Sequence, residues 1–207
     1  LSLSGFTCLQ QSVMNFGILM IQGLVNSFGS SVMAAFAVAV KIDTIAYMPV
    51  QDFGNAFSVF TAQNFGAGKH GRIKSGIKQS LISVVLFCFA VSTAVFFLSE
   101  PLMSLFCSDS ETVAIGVQYL RTEGLCYIGI GILFMLYGYY RAVNKPLMSV
   151  ILTILSLGTR VLLAYILSPV STFGVMGIWV SIPIGWFLAD IAGFGYYILR
   201  ERGQYRK

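Results

Sequence analysis

This sequence predicts an all-helical integral membrane bundle with six transmembrane segments. Three observations point there: the composition, the uninterrupted apolar runs, and the alternation of charged turns. Of 207 residues, 57% are hydrophobic and 10% are charged, and the mean hydropathy is +0.81. A soluble domain carries roughly 25% charged residues. Residues 81–98 and 161–189 contain no Asp, Glu, Lys or Arg, and a helix needs ~20 apolar residues to cross the ~30 Å hydrocarbon layer. The net charge of +5 is carried mostly at the ends of such runs. That placement marks membrane boundaries and argues against a nucleic-acid surface.

The six segments are predicted at about 6–28, 32–63, 79–98, 116–140, 147–168 and 174–199. No basic n-region with a small-residue cleavage site precedes the first, so it reads as a membrane helix and not a signal peptide. Gly29-Ser30-Ser31 is a short turn, and Gly66-Ala67-Gly68 with Gly71 ends the second segment. The 99–115 stretch holds Pro101 and three acids, Glu100, Asp109 and Glu111. Asn144-Lys145-Pro146 and Ser168-Pro169 mark the last two turns.

Cations favour alternate turns. Lys69, Arg72, Lys74 and Lys78 follow the second segment, Arg141 and Lys145 follow the fourth, and Arg200, Arg202, Arg206 and Lys207 follow the sixth. The turns at 29–31 and 169–173 carry no cation, and the 99–115 stretch carries only acids. Under the positive-inside rule the basic side is cytoplasmic. Both chain ends are therefore expected in the cytoplasm.

Polar groups inside a bilayer are costly, so their positions carry information. In the first segment Gln11, Asn15, Gln22 and Asn26 fall within about 60° of one another at 100° per residue. Such a stripe serves either as interhelical glue or as one wall of a substrate cavity. The second segment is the longest and holds Lys41, Asp43 and Asp52, with Pro49 as a candidate kink. Asp43, Tyr47, Gln51, Asn55 and Ser58 lie within about 120° of one another. Counted from Val32, Asp43 stands about 17 Å into the helix, close to the midplane. An unpaired charge there costs at least ~2.5–3.5 kcal/mol. Its presence points to a proton, an ion or a cationic substrate, or to an internal ion pair with Lys41 or Arg160 as candidate partner. Glu123 is expected near the outer boundary in water, and Asp190 hydrated or paired. Gly124, Gly131 and Gly138 suggest close helix packing.

Enzymatic chemistry finds little support. His70 is the single histidine and stands in a basic stretch without acidic or thiol companions. H-E-x-x-H and G-x-S-x-G are absent, and Gly66-Ala67-Gly68-Lys69 lacks the phosphate-loop spacing. Cys8, Cys88, Cys107 and Cys126 form no C-x-x-C pair, so neither a metal site nor a disulfide framework is expected. No cofactor is expected.

Several strings are distinctive together: Ala34-Ala35-Phe36-Ala37, Lys41-Ile42-Asp43, Met48-Pro49, and Ala62-Gln63-Asn64-Phe65-Gly66-Ala67-Gly68-Lys69. With Gly177-Ile178-Trp179-Val180-Ser181-Ile182-Pro183-Ile184-Gly185-Trp186, the sequence resembles the multidrug and toxic compound extrusion (MATE) family. The resemblance covers essentially the whole chain, read as the C-terminal six-helix lobe, residues 1–207, of a two-lobed, twelve-helix transporter. It implies a partner N-terminal lobe outside this chain and alternating access around a central cavity. It also implies antiport, with inward sodium ion or proton driving export of organic, often cationic, small molecules. Family members carry membrane-embedded acids in the first and fourth helices of this lobe; an ungapped count places those positions at Met14 and Ile130, which are not acids. A lipid-linked precursor flippase of related architecture and an intramembrane enzyme are the alternative functions.

Overall fold

The computed structural model describes residues 2–201. Seven α-helices follow in order: α1 Ser2–Asn26, α2 Ser30–Gly66, α3 His70–Ser104, α4 Ser110–Gly124, α5 Tyr127–Ala142, α6 Pro146–Leu167 and α7 Gly174–Tyr196. A π-helical turn, Tyr197–Glu201, extends α7. Arg202, Arg206 and Lys207 lie outside the described residues. Five helices are individually long and apolar enough to cross a membrane. The sixth span is the pair α4 and α5, bent by 53° at their junction.

Two helices greatly exceed the bilayer. At 37 and 35 residues, α2 and α3 would be about 55 and 52 Å long at 1.5 Å per residue, against a ~30 Å hydrocarbon layer. The surplus at the α2–α3 turn carries Lys69, Arg72, Lys74 and Lys78. The stretch expected as a long basic loop is thus mostly helix, with a turn reduced to Ala67, Gly68 and Lys69. Gly68 takes φ +67° there, a region that favours glycine. The 99–115 stretch likewise shrinks to residues 105–109. Charge marked the region as lying outside the membrane but did not prevent it from being helical.

Asp109 caps α4: its Oδ2 accepts from the Thr112 amide at 2.9 Å and from the Thr112 hydroxyl at 2.7 Å. Those two donors hold its carboxyl below the usual carboxylate range. This cap starts the helix well before residue 116, where the sequence placed it.

The fourth span supplies the bundle's axis. Every residue from 133 to 140 in α5 is buried, the pattern of a helix enclosed on all sides. It touches α2, α3, α6 and α7, while α1 packs chiefly on α6 and α6 on α7. A Cβ on Gly138 would stand 2.5 Å from the Gly54 carbonyl oxygen, so α2 and α5 meet backbone to backbone. Helix α2 continues through Pro49, which is exposed; among the described residues the sharply bent break in a membrane span lies at Leu125–Cys126.

Candidate functional site

That break assembles the site. Helix α4 ends one turn after Tyr119 with Glu123 in its last turn, and α5 begins at Tyr127. The Cys126 amide donates to the Glu123 carbonyl at 2.8 Å and the Gly129 amide to the Cys126 carbonyl at 2.9 Å. These local bonds close the corner inside the bundle, as irregular backbone at membrane depth requires.

Asp43 faces this corner from α2 and is 3% exposed, and Glu123 is 1% exposed. The Tyr127 hydroxyl donates to Asp43 Oδ1 at 2.5 Å. The Asp43 and Glu123 carboxyls and Tyr119 line one cavity. Glu123 Oε1 is buried without a partner. Arg160, from α6, acts on both carboxyls through space, and its buried Nε also lacks a partner.

These groups border a cavity of about 140 Å³, whose walls also include Tyr47 and Gln51 of α2, Tyr137 of α5 and Trp186 of α7. Toward the α2, α4 and α7 ends that the sequence places outside, three rings pack over it. Phe36 stacks on Trp179 with centroids 5.5 Å apart, and Tyr119 meets Trp179 edge-on at 4.9 Å. Among the described residues no three His, Cys, Asp or Glu side chains cluster in a way that could hold a metal ion. Two carboxyls and the tyrosine hydroxyls give the cavity a set of hard oxygen groups.

The expected site residues divide. Asp43, Tyr47, Gln51 and Arg160 meet at the cavity. Asn55 does not: it is exposed, and its Oδ1 accepts from Arg141 Nη2 at 3.2 Å. Lys41 is exposed as well and lies outside the cavity wall, so Arg160 is the cation near Asp43. Gln11, Asn15, Gln22 and Asn26 are all exposed, with Gln11 Nε2 donating to Asn15 Oδ1 at 3.5 Å. Helix α1 turns Gly17, Ile21 and Val25 into the bundle, where an added Gly17 Cβ would touch Leu157 at 3.3 Å. Burying that apolar stripe sets the rotation of α1 and leaves the carboxamides on its open flank. From this helix Met14 and Ile18 reach the cavity.

Glu123 is a correction. Read from a helix starting at 116 it belongs near water; with α4 starting at Ser110 it stands about 20 Å along the span and is fully enclosed. The fourth span therefore does hold a buried acid, seven residues before Ile130, which lines the same cavity with Met14. Tyr119 and Glu123, four residues apart on one face, were the available signal. Asp190 is 6% exposed, and neither of its oxygens has a hydrogen-bond partner among the described residues.

The MatE family model matches residues 6–166. Two probable multidrug resistance proteins of Bacillus subtilis (strain 168) are similar to the chain. YoeA is 26% identical over 174 residues, 84% of this chain and 38% of YoeA. YpnP is 28% identical over 191 residues, 91% of this chain and 42% of YpnP. The fold is that of the Vibrio cholerae MATE transporter VcmN in the bent form, with TM-score 0.88 at 19% identity over 98% of this chain and 47% of that one. The chain spans less than half the length of each of these relatives, as one lobe would. A six-span bundle matched over most of its length in this way belongs to the MatE family, whose members are multi-pass membrane transporters and not enzymes.

Proposed function

We propose that the chain is one lobe of a secondary active antiporter, and that the Asp43–Glu123 cavity binds its coupling ion, sodium or proton. The lobe faces a second six-helix lobe, and organic, often cationic, molecules travel between the two by alternating access. The basic turns lie in the cytoplasm of a bacterial inner membrane.

The enclosed carboxyl pair carries this reading, and its size decides what it takes. A cavity of about 140 Å³ holds an ion and a few waters, since one water needs roughly 10–15 Å³. Pockets for organic ligands run to ~300–1,000 Å³. The organic cargo therefore belongs between lobes, against the open flanks of α1 and α2, where Gln11, Asn15, Gln22, Asn26 and Asn55 are exposed. Two neighbouring carboxylates repel by about 4 kcal/mol at ~4 Å and an effective dielectric constant near 20. A cation entering between them removes that repulsion. The occupied and empty cavities thus differ enough in energy to bias a two-state bundle.

The test is efflux by the complete transporter with Asp43→Asn, which keeps the shape and removes the charge. Ion-driven efflux should fall at least about tenfold, which corresponds to ~1.4 kcal/mol, with abundance unchanged. Asp190→Asn, outside the cavity, should retain most of it. Unchanged efflux and ion dependence in Asp43→Asn would assign Asp43 to structure.

A further inference from the structure

Three side chains with formal charge border the cavity: Asp43, Glu123 and Arg160. The other titratable groups facing them are Tyr47 of α2, Tyr119 of α4, and Tyr127 and Tyr137 of α5. Their phenols are neutral near neutral pH. Helix α1 contributes Met14 and Ile18, and α7 contributes Trp186. An arginine keeps its charge in any protein environment. With both carboxyls ionised the site therefore has a formal charge of about −1 and not −2.

The guanidinium is placed to compensate charge without filling the site. Its root is fixed: a Cβ on Gly185 would collide with the Ser156 carbonyl oxygen and lie 3.5 Å from Arg160 Cβ, so α7 presses directly on this turn of α6. At its head, Nε is buried without a partner, and the side chain borders the same cavity as Asp43 and Glu123. The cation and both carboxyls thus line one cavity that a mobile ion could enter.

We infer that Arg160 is a tethered cation that limits this cavity to one external positive charge per transport cycle. The inference rests on the ion-site reading above. It makes Arg160 the residue that sets coupling stoichiometry: one proton or one sodium ion neutralises the site, and a second would leave it net positive in a low-dielectric interior.

Charge counting makes the test specific. Ions bound per molecule would be measured on the complete purified transporter in nanodiscs. One arm uses ²²Na⁺ retention, and the other uses proton uptake in weakly buffered solution. Counts are taken relative to Asp43→Asn/Glu123→Gln, which subtracts ions bound elsewhere. The unmodified protein and Arg160→Lys should each take one ion, and Arg160→Gln should take two. Glu123→Gln, left with one carboxylate facing the arginine, should take none, and Glu123→Gln/Arg160→Gln should regain one. That rescue carries the test if Arg160→Gln alone accumulates poorly, because the double variant is charge-balanced like the parent. An unchanged count in Arg160→Gln, or no rescue in the double variant, overturns the inference. If the Asp43→Asn/Glu123→Gln baseline binds as many ions as the parent, the ion-site reading itself has failed, and the two failures are told apart.

Discussion

Asp43 and Tyr127 join α2 to α5 through one short bond, made at the corner where the fourth span breaks. An intramolecular hydrogen bond contributes about 0.5–1.5 kcal/mol net, and one to a charged group about 1.5–3 kcal/mol. Tyr127→Phe should therefore lower stability by about 1–3 kcal/mol, read as a lower melting temperature in detergent. Combined with Asp43→Asn it should be non-additive, since one change removes the donor and the other weakens the acceptor of the same bond. Additive losses would show that the pair does not act as a unit. Asp190 offers a contrast: with both oxygens unpartnered, Asp190→Leu should keep or raise stability, because replacing unpaired buried polar atoms by apolar ones is often neutral or better.

At the scale of elements, the contact of α2 with α5 holds Asp43 against the α4–α5 corner. Gly138 meets the Gly54 backbone so closely that a methyl group would force the helices apart. Overpacking of this kind costs about 1–3 kcal/mol. Gly138→Ala should lower the melting temperature and weaken ion binding together, since separating the helices moves Asp43 from Glu123; a variant unaltered in both would show that the backbone contact is dispensable. The short connection between α3 and α4 tests orientation. Ser108, exposed there, should react as Ser108→Cys with a membrane-impermeant thiol reagent added outside intact cells, in a background without Cys8, Cys88, Cys107 and Cys126. Reaction only after the membrane is opened would invert the topology.

For the whole molecule, the open flanks of α1 and α2 matter most. Lys41, Asp52 and Asn55 on α2 are exposed beside the carboxamides of α1. Charges of this kind cost at least ~2.5–3.5 kcal/mol if turned to lipid at mid-depth. They are tolerable against water or another protein lobe. Vesicles containing only these 207 residues should therefore show no gradient-driven efflux, while the same chain combined with its second lobe transports. Efflux by the lobe alone would favour a homodimer of half-transporters.

Membrane residence, six spans and the basic side of the bundle were legible in the sequence because each depends on local composition. Asp43 and Arg160 were legible too, as charges standing far from any boundary. Glu123 was not, because its depth depends on where α4 starts, and the Asp109 cap decides that. The role of Tyr127 depends on a break at Leu125–Cys126 that hydropathy reads straight through. The carboxamide stripe of α1 was visible as a stripe, but its direction was not: the packing of Gly17 against Leu157 sets that rotation. Hydropathy and periodicity are properties of one segment, and they determine that a helix forms and spans. Which face turns inward, and which carboxyl is thereby enclosed beside another, depends on the apolar surface of its neighbours, and only the tertiary structure decides it.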